Sequence, residues 1–138
     1  MSAAQIFENG SDATVSTLMS QPVLTVEVGE SLWDAWQLLF VSGLRHLVVI
    51  DRDGTSLGVL SDRNILAEVP ATAEHLSARQ VGDVLAMVPL VSVRPTDHPL
   101  TAARLMAGNT VEAVPVLDDA GRLVGIVTET DIVRWLAR

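Results

Sequence analysis

The chain has 138 residues, a formal net charge of −8 and no cysteine. That acidic balance excludes a broad nucleic-acid footprint, which needs clustered Lys and Arg to displace counterions from the phosphate backbone, and the missing thiols exclude a disulfide scaffold, a cysteine nucleophile and thiolate zinc. With 49% hydrophobic residues the sequence can fill a sizeable core and leave apolar surface for self-association.

In chain order, residues 1–13 read as a flexible lead, although Ile6 and Phe7 are apolar enough to dock. Val23 to Val26 follow Pro22 as a short extended segment, since proline suits the first position of an edge strand. From Ser31, a predicted N-cap, Leu32, Ala35, Trp36, Leu39 and Phe40 fall at the spacing of a one-sided helix. Leu47 to Ile50 and Leu57 to Leu60 flank an Asp-rich turn ending at Gly54 and predict a buried hairpin, followed by helical composition from Asn64 to Glu68. Residues 69–80 are small and polar and read as a linker, part of it helical.

The same order then returns. Leu90 to Val93 after Pro89 predict a strand; Leu100, Ala103 and Met106 behind Pro99 predict a helix; Val114 to Leu117 and Leu123 to Val127 predict a hairpin; Asp131 to Ala137 predict a closing helix. Gly58-Val59-Leu60-Ser61-Asp62-Arg63-Asn64-Ile65-Leu66 reappears as Gly125-Ile126-Val127-Thr128-Glu129-Thr130-Asp131-Ile132-Val133, 67 residues later. The spacing also carries Pro22 onto Pro89, Asp51 onto Asp118 and Gly54 onto Gly121, so the chain is one strand-helix-strand-strand-helix unit written twice, of α/β (α+β) class. Neither half alone is large enough to expect independent stability.

Behind each hairpin a glycine precedes a hydroxyl and, three residues later, an amide or acid: Gly58, Ser61, Asn64 and Gly125, Thr128, Asp131. At a helix start, unpaired backbone N–H groups and the positive dipole end favour phosphate oxygen, and a carboxylate there can accept from two vicinal hydroxyls, as on a ribose. The same residues are ordinary helix caps, a role worth about 1 kcal/mol and compatible with ligand contact.

Val114-Pro115-Val116-Leu117-Asp118, Gly121, Leu123-Val124-Gly125-Ile126-Val127-Thr128 and Asp131-Ile132 resemble the signature of the cystathionine β-synthase (CBS) domain. The first repeat departs from it, lacking the proline before Asp51 and carrying Asn64 where the family has Asp. The resemblance implies two tandem β-α-β-β-α CBS repeats, residues 14–68 and 81–138, packed with pseudo-twofold symmetry and enclosing two clefts that in relatives take adenosine compounds: AMP, ADP, ATP or S-adenosylmethionine. It nominates Ser61 and Asn64 for one cleft and Thr128 and Asp131 for the other, with Arg45 and His46 as phosphate contacts and Thr25 and Ser92 on the opening strands. Asp131 accepts from both ribose hydroxyls, whereas Asn64 offers one acceptor and one donor.

The resulting expectation is a non-catalytic regulatory module, cytoplasmic because neither a membrane span nor a secretory signal is present. It dimerises through its helices, with Trp33 and Trp135 as candidate anchors, and acts on an effector protein in trans. A ligand-free dimeric interaction scaffold is the alternative. No nucleophile with an adjacent base, paired carboxylate or histidine cluster argues for catalysis or a metal, and neither a nucleic-acid polymer nor a membrane is an expected partner.

Overall fold

The computed structural model describes residues 12–138, so most of the predicted lead lies outside the described residues. The chain divides into two compact units, one spanning 23–90 and the other combining 12–22 with 91–138.

In the first unit, β1 (Thr25–Glu27) runs parallel to β2 (His46–Ile50), which pairs antiparallel with β3 (Ser56–Ser61). Helix α1 (Leu32–Ser42) is capped as its sequence predicts: the Ser31 hydroxyl accepts from the Asp34 N–H at 3.1 Å, and Gly43 closes the far end with φ 72°. Leu32, Ala35 and Leu39 are its buried face, packed with Val26, Leu47, Val49 and Leu60 from the sheet. The predicted stripe ends early, because Phe40 is 84% exposed and Trp36 only half-buried. Helix α2 (Asp62–Glu68) contributes Ile65 to the same core. The segment read as a linker carries α3 (Ala73–Ser77), whose fully buried Leu76 joins that core. Apolar burial fixes this stretch despite its small, polar composition. Helix α4 (Val81–Leu85) then adds Val81 and Val84.

The second unit carries α5 (Pro99–Asn109), β4 (Ala113–Leu117), β5 (Leu123–Thr128) and α6 (Glu129–Ala137). Strands β4 and β5 form an antiparallel pair, and Val114, Val116, Val127, Ala102, Met106 and Ile132 make the core. Helix α5 starts at Pro99, as predicted, but buries Pro99, Ala102 and Met106 rather than the stripe through Leu100 and Ala103.

Both hairpin turns are built on one aspartate. Asp51 Oδ1 accepts from the N–H groups of Asp53 and Thr55, each at 2.9 Å, and Asp118 Oδ1 accepts from those of Ala120 at 3.0 Å and Arg122 at 2.9 Å. The Asp118 carboxyl is held below the ordinary aspartate range, chiefly by the Arg122 N–H and then by the Arg122 guanidinium.

The opening strands differ. The first repeat makes a three-residue parallel ladder in which Val48 donates to Leu24 and Val28 donates to Ile50. In the second, only Val93 bridges Val116, so the strand predicted at Leu90 to Val93 shrinks to a single bridge. Pro115 and Pro95 stand at the positions of Val48 and Val28, and proline has no N–H to donate.

The sequence repeats and the packed units are offset. A short 3-10 turn at Val15–Thr17 begins the first repeat but joins the second unit: the Val15 N–H donates to Asp97 O at 2.8 Å and its side chain is fully buried there. Val81 begins the second repeat but joins the first unit, its N–H donating to Glu30 O at 2.9 Å. Each unit is completed by an arm from the other repeat. The sequence reading divides the chain at 14–68, 69–80 and 81–138, whereas packing groups 23–90 apart from 12–22 with 91–138.

Candidate functional site

Each repeat places its motif where a strand turns into a helix. In the first unit, the Asn64 N–H donates to Ser61 Oγ at 3.1 Å, while Asn64 Oδ1 accepts from both the Ser61 N–H and hydroxyl at 2.8 Å. This reciprocal box closes the start of α2. Register brings the neighbouring candidates to the same end: His46 lies opposite Ser61, and Arg45 O accepts from the Asp62 N–H at 3.2 Å. Thr25 stands exposed on β1, paired with Val48. Arg45, His46, Ser61 and Asn64 thus gather at one end of the β2–β3 hairpin. The Arg45 guanidinium meets the Asp62 carboxylate at 3.5 Å, which competes with any phosphate for that charge. Asn64 commits its only acceptor oxygen to the box and offers no carboxylate to a diol.

In the second unit the box is charged. The Asp131 N–H donates to Thr128 Oγ1 at 3.3 Å, and Asp131 Oδ2 accepts from the Thr128 N–H at 2.9 Å and hydroxyl at 3.1 Å. A further donor comes from the arm: Ser20 Oγ lies 3.1 Å from Asp131 Oδ1 and 3.2 Å from Oδ2. Ser20 is fixed by an antiparallel bridge to Ile126, donating at 2.8 Å and accepting at 3.2 Å. Asp131 is only 7% exposed. Burying a carboxylate is tolerable when hydrogen bonds satisfy it. Its Oδ1 receives the Ser20 hydroxyl alone among these bonds and so retains acceptor capacity.

Asp131 lines a cavity of about 350 Å³. Along α6, Arg134, Trp135 and Arg138 follow at i+3, i+4 and i+7 and line it too, while Thr17 and Ser20 of the arm form the facing wall. Thr128 is not part of this lining, so the cavity runs along the side of α6 and not across its tip. Ser92 is exposed just ahead of the Val93 bridge and does not join the lining. Trp135, expected as an interface anchor, is buried with its ring edge-on to His98 at 5.7 Å. Trp33 is half-buried against the first unit's core.

The arm residues Thr17 and Ser20 are the site members that the duplication concealed. The 67-residue spacing sets Ser20 against Met87, but the arms repeat at 66, carrying Val15 onto Val81 and Met19 onto Leu85. The structure exposes that register through the strand glycines, because a Cβ on Gly58 would meet Leu85 and one on Gly125 would meet Met19. The rim arginines carried a plainer signal, since the helical period already put positions 131, 134, 135 and 138 on one face.

The CBS domain family model matches residues 15–71 and 81–138. Among solved structures, CBSX2 in complex with AMP is 32% identical, with a TM-score of 0.74 covering 90% of this chain and 96% of that one. A conserved CBS domain protein of unknown function from Thermoplasma acidophilum is 30% identical, with a TM-score of 0.79 over 91% of this chain and 70% of that one. A homoserine O-acetyltransferase of Methanococcoides burtonii is 30% identical over 89% of this chain, which spans only 24% of that enzyme's length. Among the described residues, no group of His, Asp and Glu is placed to hold a metal ion and no helix is long and apolar enough to cross a membrane.

Proposed function

The chain belongs to the CBS domain family, and from that premise we propose that it is a non-catalytic regulatory module that binds an adenosine nucleotide (AMP, ADP or ATP) or S-adenosylmethionine and acts on a partner protein. The observation that carries this reading is Asp131: a buried carboxylate oriented by Thr128 and Ser20, with acceptor capacity left on Oδ1, on the wall of a 350 Å³ cavity. A ribose diol is the ligand group such an oxygen suits. The AMP complex of CBSX2, a protein of similar length and fold, supports adenosine as the class. Ser61 and Asn64 hold the same box without the carboxylate and form the weaker candidate. A cytoplasmic homodimer belongs to the same proposal, with the exposed Phe40, Val41 and Leu44 at the end of α1 as its apolar face.

Titrating the protein with AMP, ADP, ATP and S-adenosylmethionine while following thermal unfolding tests the reading. A ligand at 100 times its dissociation constant should add about 2.7 kcal/mol of stability. Asp131→Asn, which keeps a cap oxygen, should weaken binding at least tenfold with the fold retained. No stabilisation by any of these compounds would leave the interaction scaffold as the better account.

A further inference from the structure

The cavity beside α6 joins two opposite chemistries. Its buried wall is the Asp131 carboxylate, and its rim carries the exposed side chains of Arg134 and Arg138, one and two helical turns further along the same face. Arg45, Arg79, Arg94 and Arg122 each sit beside a carboxylate. Among the described residues, Arg134 and Arg138 form no ion pair. Their charges also complement the C-terminal end of α6, a role that any basic residue in a last turn fills. Here the two also share a hollow with Thr17, Ser20 and a buried Trp135 wall.

We propose that Arg134 and Arg138 are the anion-binding rim of the Asp131 cavity, so that its ligand is a phosphorylated nucleoside and not an uncharged or sulfonium nucleoside. This rests on the adenosine reading above and narrows it. Arginine presents a fixed fork of N–H donors that pairs bidentately with phosphate oxygens. The helix rises about 1.5 Å per residue, so Arg134 begins about 4.5 Å and Arg138 about 10.5 Å along the axis from Asp131. A diol on Asp131 with phosphates directed along α6 spans that interval, and a chain of two or three phosphates can reach both guanidinium groups. The carboxylate repels the same phosphates from the inner end of the cavity, which orients the ligand.

Calorimetric titration of the full chain with adenosine, AMP, ATP, S-adenosylmethionine and inorganic tripolyphosphate, repeated on Arg134→Gln/Arg138→Gln, tests the proposal. Both side chains are exposed, so the variant should stay folded, its melting temperature lowered only by the lost charge complement at the end of α6. ATP should bind the parent at least tenfold more tightly than adenosine, with an advantage that falls as salt rises, and the double variant should lose that advantage while binding adenosine unchanged. If the ATP-to-adenosine ratio survives in the variant, the rim is wrong and the adenosine reading stands. Tripolyphosphate binding that needs both arginines, without binding of any nucleoside, supports the rim and removes the adenosine reading. No binding by any of the five compounds overturns both.

Discussion

The two helix starts are the same device built from different atoms. Ser61 with Asn64 and Thr128 with Asp131 close identical backbone boxes, and in each the residue before the hairpin's first strand accepts from the residue after the cap: Arg45 from Asp62, Glu112 from Glu129. Only the second box is ionic, and only there does the arm supply a hydroxyl. At the 66-residue arm spacing, Ser20 corresponds to Ala86. The carboxylate and its extra donor therefore occur together, and the amide occurs where that donor is missing. This pairing follows from solvation, because a buried carboxylate needs more hydrogen bonds than a buried amide.

The largest expected difference between the units lies in their strand glycines. Gly58 has φ 142°, a region closed to ordinary L side chains, and a Cβ there would stand 3.1 Å from Leu85; Gly58→Ala should therefore cost about 2–3 kcal/mol in denaturant melts. At Gly125 an added Cβ would meet the flexible thioether of Met19 at 2.5 Å, so Gly125→Ala should cost about 1 kcal/mol as that side chain shifts. Equal losses would mean that the positive φ at Gly58 adds no strain beyond the contact with its arm.

Next come the boxes. Asp131→Ala removes a buried, charge-assisted acceptor and should cost about 2 kcal/mol, against about 1 kcal/mol for Asn64→Ala, measured by the same melts. A smaller change, Ser20→Ala, takes away the donor peculiar to the second unit and should cost about 1 kcal/mol in the parent but almost nothing in an Asp131→Ala background, so a double-mutant cycle reads the coupling directly.

The smallest effect is one of pH. The folded-state pKa of Asp118 is lowered, so its contribution is fully present above the ordinary aspartate range near 3.9 and is lost as pH falls through the lower folded value. Acid melts of Asp118→Asn should lack that part of the pH dependence. An unchanged acid limb would show that the turn at 118–122 adds nothing ionic.

Helices and hairpins were legible because their signals are local: an apolar period behind Ser31, a proline at Pro99, and aspartates at 51 and 118 three residues before a glycine with positive φ. What stayed hidden depends on pairing at a distance. Nothing in residues 15–20 states that they will bond to Asp97 and Ile126, because a six-residue segment carries too little periodicity to choose its sheet. The shortened strand at Val93 was readable in principle, since Pro95 and Pro115 both lie within its repeat. Its cause is visible only when the first repeat shows which N–H groups the ladder needs. Asp131 was nominated by its type and spacing, while its partner Ser20 and its arginine rim became apparent only with the arm in place.

The exchanged arms also decide where the chain can be divided. Severing it within 69–80 deprives one piece of Val81 and the other of Val15, each a fully buried side chain of the opposite half, so the excisable parcel is the interior stretch 23–90 and not either written repeat. The written repeat thus has its seam in one place and the packed units have their joints in two others, each unit taking part of its core from the opening residues of the other repeat.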